Sequence, residues 1–159
     1  MSTIRNKTNP FIGFAGNIGS GKTTFTKLIA QRQNWESFYE PVTDNPYLDD
    51  FYADMKRWSF NLQVYFLHKR FKMHQKMSKM NKGVVQDRTI YEDVEIFAKN
   101  LYDMGKMNNR DWENYRGLFF AIEPSLKKPD LIVYLKTSTD ILLSRIKTRN
   151  RTFEQNIDP

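Results

Sequence analysis

The chain has 159 residues, a formal net charge of +7 and a pI near 9.5, which predicts one domain and leaves nucleic acids and small polyanions open as partners. It contains no cysteine, which excludes disulfide bonds and thiolate-bound metals. No apolar stretch approaches the roughly 18 residues of a membrane span, and residues 1–10 lack an apolar signal core, so we expect a cytoplasmic protein without membrane contact.

Strand and helix patterns alternate along the chain. Apolar runs predict strands at 11–15, 36–40, 84–86 and 131–135. Helical periodicity and turn residues predict helices at 22–33, 45–55, 58–80, 91–101, 111–122 and 139–146. This alternation indicates an α/β fold with a central parallel sheet and right-handed crossovers. Ligands of such sheets bind beyond the carboxyl ends of the strands, here at Gly16, Glu40, Asp87 and Lys136.

The predicted helix 58–80 carries an apolar and a basic pattern. Its apolar residues recur at steps of three, four or seven, and we expect core or dimer packing for Leu62, Phe66, Met73, Met77 and Met80. Basic residues concentrate at 69–82, and a solvated outer face is expected for them rather than a binding surface. The pattern gives His68 and His74 no partner ligands, so it predicts no metal or catalytic role for them.

A glycine-rich loop joins the first strand to the first helix. Backbone N–H groups of such a loop converge on phosphate oxygens, and the helix N-terminus adds partial positive charge. Lys22 would reach the outer phosphates of a nucleoside triphosphate, and Thr23 would ligate Mg²⁺. The loop alone leaves GTPases, motors, helicases and small-molecule kinases open. It fits G-x-x-x-x-G-K-[ST] and runs Gly16-Asn17-Ile18-Gly19-Ser20-Gly21-Lys22-Thr23.

Two carboxylates follow the next strands of the predicted sheet. Glu40 could take a proton from an attacking hydroxyl as a general base. Asp87 ends the third strand and is a candidate ligand of Mg²⁺ or of its bound water. Arg88 would then lie near Glu40, keep it ionised and position the acceptor hydroxyl. With the phosphate loop, these groups predict phosphoryl transfer.

These residues together resemble the deoxyribonucleoside kinase family over nearly the whole chain from Phe11 onward. The segment 40–47 is most similar to bacterial deoxyadenosine/deoxyguanosine kinases. The resemblance implies a P-loop kinase fold with three α/β/α layers and ATP-dependent phosphorylation of a deoxynucleoside 5′-hydroxyl in nucleotide salvage. The matching motifs are the loop 16–23, Glu40-Pro41-Val42, Gln63, Asp87-Arg88-Thr89-Ile90-Tyr91, and the group Arg145, Arg149, Arg151 and Glu154.

The resemblance also implies roles in catalysis and donor binding. Glu40 corresponds to the catalytic base, Arg88 to the arginine beside the 5′-hydroxyl, and Asp87 to the acidic residue near the metal. Positive charge for the transferred phosphoryl group would come from Lys22 and from the lid arginines Arg149 and Arg151. A lid that closes supplies this charge only on closure and excludes water. Arg145 is a further candidate for donor binding.

A second set of matching positions would hold the nucleoside. Tyr52 and Glu154 correspond to the pair that binds the 3′-hydroxyl, and Gln63 to the glutamine that contacts the base at two points. A side-chain amide suits this task because it both donates and accepts hydrogen bonds. Arg70 and Asp93 match positions that contact the base in members accepting purines or deoxycytidine. A purine deoxynucleoside is therefore the expected substrate, with deoxycytidine as the alternative.

The resemblance further implies a homodimer and a lid at about 145–157. Family members continue past the lid with more helix and a final edge strand, so the sequence is expected to be a single kinase domain, 1–159, that lacks this last part.

Three alternatives remain open at this point. A nucleoside monophosphate kinase of the thymidylate type has a similar fold, but Glu40 would stand where the acceptor's phosphate binds. A nucleic-acid-binding P-loop protein would suit the net charge, but the basic residues lie mainly along one helix, so no nucleic-acid partner is expected. The third is a non-catalytic nucleotide-binding protein.

Overall fold

A computed structural model describes residues 7–39 and 45–149 of the chain. The chain divides into two compact units. The sheet unit comprises Met1–Glu40, Met80–Arg88 and Lys128–Pro159, and the helical unit comprises Pro41–Lys79 and Thr89–Lys127. Each is described in turn.

The sheet unit contains a four-stranded parallel sheet in the order β2-β3-β1-β4. Phe11 of β1 pairs with Val84 of β3, and Ile12 pairs with Leu131 of β4. The central parallel sheet predicted from the alternating pattern is thus confirmed. The strands are β1 (Phe11–Ala15), β2 (Glu36–Phe38), β3 (Val84–Asp87) and β4 (Leu131–Tyr134), and the helices are α1 (Lys22–Gln33) and α7 (Thr139–Arg149).

Burial differs between the middle and the edge of this sheet. Phe11, Val84 and Val85 are fully buried, as expected for the near-continuous apolar runs of central parallel strands. In β4, by contrast, Leu131, Ile132 and Tyr134 are exposed. The core of the sheet unit therefore lies around β1 and β3, the two strands that also lead into the phosphate loop and Asp87.

Gly83, which precedes β3, lies against the side chain of Trp35, and a larger residue would not fit there. A Cβ atom at Gly83 would lie 2.5 Å from two atoms of the indole ring of Trp35. The adjacent backbone is also engaged, since Glu36 N donates to Gly83 O at 2.9 Å. This close approach holds the start of β3 against the start of β2.

We expect Gly83→Ala to lower the free energy of unfolding by roughly 1–3 kcal/mol, because the added methyl overpacks the site against a rigid ring. Gly117→Ala is the matched control, since a Cβ at Gly117 on α6 would meet nothing within 4 Å; alanine is the better helix former there. Urea unfolding of both variants compares them. Equal stabilities of the two variants would contradict the steric reading of Gly83.

The helical unit is built around one long helix. Asp54 caps it, and its side chain accepts a hydrogen bond from Arg57 N at 3.1 Å. Asn108 caps α6 in the same way, accepting from Asp111 N at 2.9 Å. The elements are α2 (Leu48–Ala53), α3 (Met55–Met77), α4 (Ile90–Glu92), a π-helical segment (Asp93–Ala98), α5 (Lys99–Asp103), α6 (Asn109–Ile122) and a 3₁₀ turn (Glu123–Ser125).

The buried face of α3 differs from the predicted apolar stripe. Leu62 and Met77 are buried as expected, but Phe66, Met73 and Met80 are only half-buried. Leu67 is buried as well, and polar residues take the other inward positions: Ser59, Gln63, Arg70 and His74. The basic segment also divides, because Lys72, Lys76 and Lys79 are exposed while Arg70 is fully enclosed. The helix therefore carries a polar cluster inward at its centre, where the apolar pattern predicted only packing.

Several predicted boundaries were wrong by a few residues. The helix predicted at 58–80 begins three residues earlier at Met55, because Asp54 supplies the cap. The helix predicted at 91–101 contains the π-helical segment, a feature frequent at functional sites. Helix α7, predicted to end at 146, continues to Arg149. No helix in the ranges 7–39 and 45–149 has both the length and the hydropathy to cross a membrane.

Candidate functional site

The glycine-rich loop of the sheet unit has the backbone geometry of a phosphate cradle. Gly16, Gly19 and Gly21 all adopt positive φ, at 143°, 77° and 99°. At Gly16 a Cβ would also lie 2.8 Å from Leu135 O and 2.9 Å from Ser20 Oγ, so the position requires glycine. The loop leads directly into α1, whose first turn contains no acidic residue. The helix N-terminus therefore adds partial positive charge to the loop.

Lys22 is the charged group of this loop and is almost fully buried, with 6% of its surface exposed. Its Nζ donates to Gly16 O at 2.8 Å and to Asn17 O at 2.9 Å. The ammonium therefore lies across the loop, in position to contact a bound anion. Ser20 Oγ is buried and makes no hydrogen bond within the described part of the chain. A hydroxyl in that position suits a phosphate oxygen, so the residues present fit the expected nucleotide phosphates.

Thr23 and Asp87 are brought together at the carboxyl end of β3. Thr23 Oγ1 donates a hydrogen bond to Asp87 Oδ2, and Asp87 is 3% exposed. Hydroxyl and carboxylate oxygens are hard ligands that suit Mg²⁺. Among the described residues, no group of three or more His, Cys, Asp or Glu side chains could hold a metal by itself. The pair therefore fits a Mg²⁺ ion that takes its other ligands from phosphate oxygens and water.

Arg88 follows Asp87 with an unusual backbone. It is buried and has φ of 63°, in the left-handed region that a non-glycine residue seldom adopts. Its N–H donates to Phe14 O at 2.9 Å, which continues the β3–β1 pairing by one residue. Strained residues of this kind concentrate at functional positions, where the surroundings hold them in place.

Helix α7 packs against the phosphate loop. Gly19 lies against Leu142 and Ile146, and a Cβ added at Gly19 would be 3.2 Å from Leu142 O. Arg145 Nη1 donates to Gly19 O at 3.2 Å. The predicted donor-binding position of Arg145 is therefore adjacent to the loop, and Arg149 lies exposed in the last turn of the same helix.

In the helical unit, the residues predicted to recognise a base line the inner face of α3. Gln63 is 4% exposed, and its Oε1 makes no hydrogen bond within the described residues. Arg70, two turns further along, forms a salt bridge through Nε to Asp93 Oδ2, and both side chains are almost entirely enclosed. Asp93 opens the π-helical segment. The structure thus brings Arg70 and Asp93 together as an ion pair.

Tyr52 belongs to α2 of the helical unit. It is half-buried in α2, and its ring packs edge-on against Phe51 with centroids 5.3 Å apart. The remaining predicted site residues, Glu40, Arg151 and Glu154, lie outside the described residues.

Two further buried residues are influenced by the charges of the Arg70–Asp93 pair. His74 lies one turn after Arg70 on α3, and burial together with the Arg70 charge lowers its pKa to about 4. Tyr115 is fully buried on α6, and burial, followed by the Asp93 charge, raises its pKa well above its ordinary value. The four-residue step from Arg70 to His74 was a readable signal. Nothing local in the sequence connects Tyr115 to the pair.

The lowered pKa of His74 predicts that the folded state loses stability at acidic pH. The buried imidazole stays neutral, whereas the unfolded chain takes up a proton near pH 6.5. Between about pH 6.5 and pH 4 the unfolded state therefore binds more protons, and stability falls as the pH is lowered, by about 3 kcal/mol in total. Urea unfolding across this range should show a shallower pH slope for His74→Gln. His68→Gln, an exposed histidine on the same helix, should keep the wild-type slope; identical slopes for all three proteins would exclude His74 as the cause.

Comparison with known proteins places these features in one family. A sequence model of the deoxynucleoside kinase family matches residues 12–159. The chain is 44% identical to the deoxyadenosine/deoxycytidine kinase of Bacillus subtilis over 148 residues, 92% of this chain and 68% of that protein. It is 42% identical to the deoxyadenosine kinase of Dictyostelium discoideum over 146 residues, 92% of this chain and 59% of that protein. It thus spans between about three fifths and two thirds of these relatives.

The solved structures agree with the sequences. A deoxyadenosine kinase from M. mycoides, bound to dCMP and dCDP, has a TM-score of 0.84 and 34% identity, covering 93% of this chain and 75% of that one. The same kinase with bound dATP has a TM-score of 0.82. The predicted family, the kinase fold and the assignment as a phosphotransferase enzyme of nucleoside salvage are confirmed.

Proposed function

Because the chain belongs to the deoxynucleoside kinase family, we propose that it transfers the terminal phosphoryl group of ATP to the 5′-hydroxyl of a deoxynucleoside, preferably a purine deoxynucleoside. The products are ADP and the deoxynucleoside 5′-monophosphate. The observation that carries the proposal is the phosphate loop, where buried Lys22 crosses the loop and Thr23 is bound to Asp87. Binding of dATP by the M. mycoides relative supports an adenine nucleotide as a ligand.

The donor would be held by the loop residues 16–23 and by Arg145. Phosphoryl transfer passes through a loose, highly charged state, so its catalysis consists mainly of positioning and positive charge. Lys22 supplies a buried charge at the phosphates, and Arg149 and Arg151 would add theirs from the lid. Thr23 and Asp87 would hold Mg²⁺, which neutralises charge on the phosphate oxygens when bound.

Glu40 would receive the proton of the 5′-hydroxyl as that oxygen attacks phosphorus, while Arg88 would orient the hydroxyl. The left-handed backbone at Arg88 supports this role, because strained residues persist where function requires a fixed orientation. Tyr52 and Glu154 would hold the 3′-hydroxyl. These assignments follow from the resemblance.

Recognition of the base would fall to Gln63 and to the Arg70–Asp93 pair. Arg70 only donates hydrogen bonds and an ionised Asp93 only accepts them. Together they complement a base edge that offers an acceptor next to an amino group, as adenine, guanine and cytosine do. The names of the relatives, which include deoxyadenosine, deoxyguanosine and deoxycytidine kinases, support the same substrate range.

The remaining proposals concern the location, the domain organisation and the oligomeric state of the protein. We propose one cytoplasmic kinase domain that acts as a homodimer and uses no nucleic-acid partner. Apolar side chains exposed on the helical unit would support a dimer contact: Ile96, Met104, Leu118 and Phe120. Size measurement in solution tests the dimer.

A substrate screen tests the proposed activity. Each of the four natural deoxynucleosides is incubated with ATP and Mg²⁺, and the monophosphates are separated and quantified. Deoxyadenosine or deoxyguanosine should give the highest kcat/KM. Thymidine as the best substrate would overturn the purine assignment, and faster turnover of a deoxynucleoside monophosphate would replace it with a monophosphate kinase.

A further inference from the structure

Tyr115 has a buried hydroxyl that the proposed catalytic and binding residues do not account for. The residue lies on α6 with none of its surface exposed, and its hydroxyl makes no hydrogen bond within the described residues. Buried polar groups in native proteins almost always have a partner, and an exception calls for an explanation. Its ring is held in place, because it stacks on Trp112 with centroids 6.5 Å apart at 21°.

Helix α6, which carries Tyr115, packs against α3 and against the π-helical segment, the two elements that carry Arg70 and Asp93. The Asp93 carboxylate raises the pKa of Tyr115 and the Arg70 guanidinium opposes that effect, after the larger contribution of burial. Both members of the buried ion pair are therefore within electrostatic reach of the phenol. Since the phenol stays protonated, it is a hydrogen-bond donor, and its electrostatic interactions with the carboxylate and the arginine are strong in this enclosed region.

Resting on the base recognition proposed above, we propose that Tyr115 is a positioning residue that competes with Arg70 for the Asp93 carboxylate. Its hydroxyl donates to Asp93 when Arg70 turns its own donors toward a bound base. The Arg70 N–H groups that no longer bind Asp93 then donate hydrogen bonds to the base. Tyr115 thereby sets the preference for bases that carry an amino group next to an acceptor.

The test is Tyr115→Phe, which keeps the ring and its stacking and removes the donor. We expect KM to rise about five- to tenfold for deoxyadenosine, deoxyguanosine and deoxycytidine, with kcat within about twofold of wild type. KM for thymidine should stay unchanged, so the selectivity ratio falls. Binding of deoxyadenosine and thymidine measured by calorimetry, without ATP, should show the same change in ratio.

Tyr102→Phe is the matched control. Tyr102 also stacks on Trp112, with centroids 5.4 Å apart at 12°, but its hydroxyl donates to Asn109 Oδ1 at 3.1 Å instead. Its removal should leave all four KM values unchanged. Circular dichroism melting of each variant reports whether it is folded.

Two results would overturn the proposal. If Tyr115→Phe folds and binds deoxynucleosides with the wild-type ratio, or alters all four affinities equally, the tyrosine has only a packing role while the proposed kinase function stands. If the wild-type chain binds no deoxynucleoside at all, the proposed function fails and this inference fails with it.

Discussion

Glu40→Gln is expected to lower kcat for phosphoryl transfer by roughly 10²–10⁴-fold, the usual contribution of a general base. The amide keeps the size and shape of the side chain but cannot accept the 5′-hydroxyl proton. Lys22, Thr23 and Asp87 are untouched, so the affinity for ATP should remain within about twofold of wild type. Steady-state kinetics with deoxyadenosine, together with calorimetric titration of ATP, separates the two effects.

Glu36→Gln provides the control for this substitution. Glu36 is the first residue of β2; its side chain is 41% exposed and pairs with Lys82 at 2.8 Å. Exposed ion pairs contribute little, so turnover should change by less than about twofold. Near-normal turnover in Glu40→Gln would remove Glu40 as the base. A loss of ATP affinity as large as the loss in kcat would instead indicate damage to the phosphate loop.

The glycine-rich loop 16–23 and the elements on either side of it were largely predictable from sequence because their signals are local. The predicted bounds of β1 and α1 are those observed, at Phe11–Ala15 and Lys22–Gln33. A buried apolar run, glycines at positive φ and a helix start follow one another without interruption. The position of each element along the chain therefore determines where the next one begins. The positions of Lys22 and Thr23 at the start of α1 could be predicted without any distant residue.

The helical unit was less predictable because distant partners determine its buried face. Periodicity predicted packing by Met73 and Met80, yet Arg70 and His74 occupy the inward positions. The charged residue enclosed there, Arg70, pairs with Asp93, which lies 23 residues further along the chain. The π-helical segment that begins at Asp93 has no recognised sequence signature. Tyr115 comes near this region through the packing of α6 against α3 and against that segment. Family resemblance predicted the Arg70–Asp93 pair, but the residues around it could be identified only from the structure.

The expected instability of a broken Arg70–Asp93 pair follows from its burial. Arg70→Met would leave the Asp93 carboxylate enclosed without its guanidinium, and Asp93→Leu would leave the guanidinium enclosed. Removing one partner of a buried pair costs about 3–5 kcal/mol, whereas replacing both with apolar residues is often close to neutral. Urea unfolding of the double variant should therefore recover most of the loss seen in either single variant.

Activity should not recover in the same way. If the pair recognises the base, the double variant folds but its KM for deoxyadenosine stays raised by at least about tenfold, the equivalent of about 1.4 kcal/mol. The surface pair Lys99–Asp103 is the control, because both side chains are about half exposed and their loss should cost less than about 1 kcal/mol. Recovery of both stability and KM in the double variant would show that Arg70 and Asp93 only support the fold. Recovery of stability alone separates recognition from packing, because an apolar replacement fills the space of the pair but offers no hydrogen bond to a base.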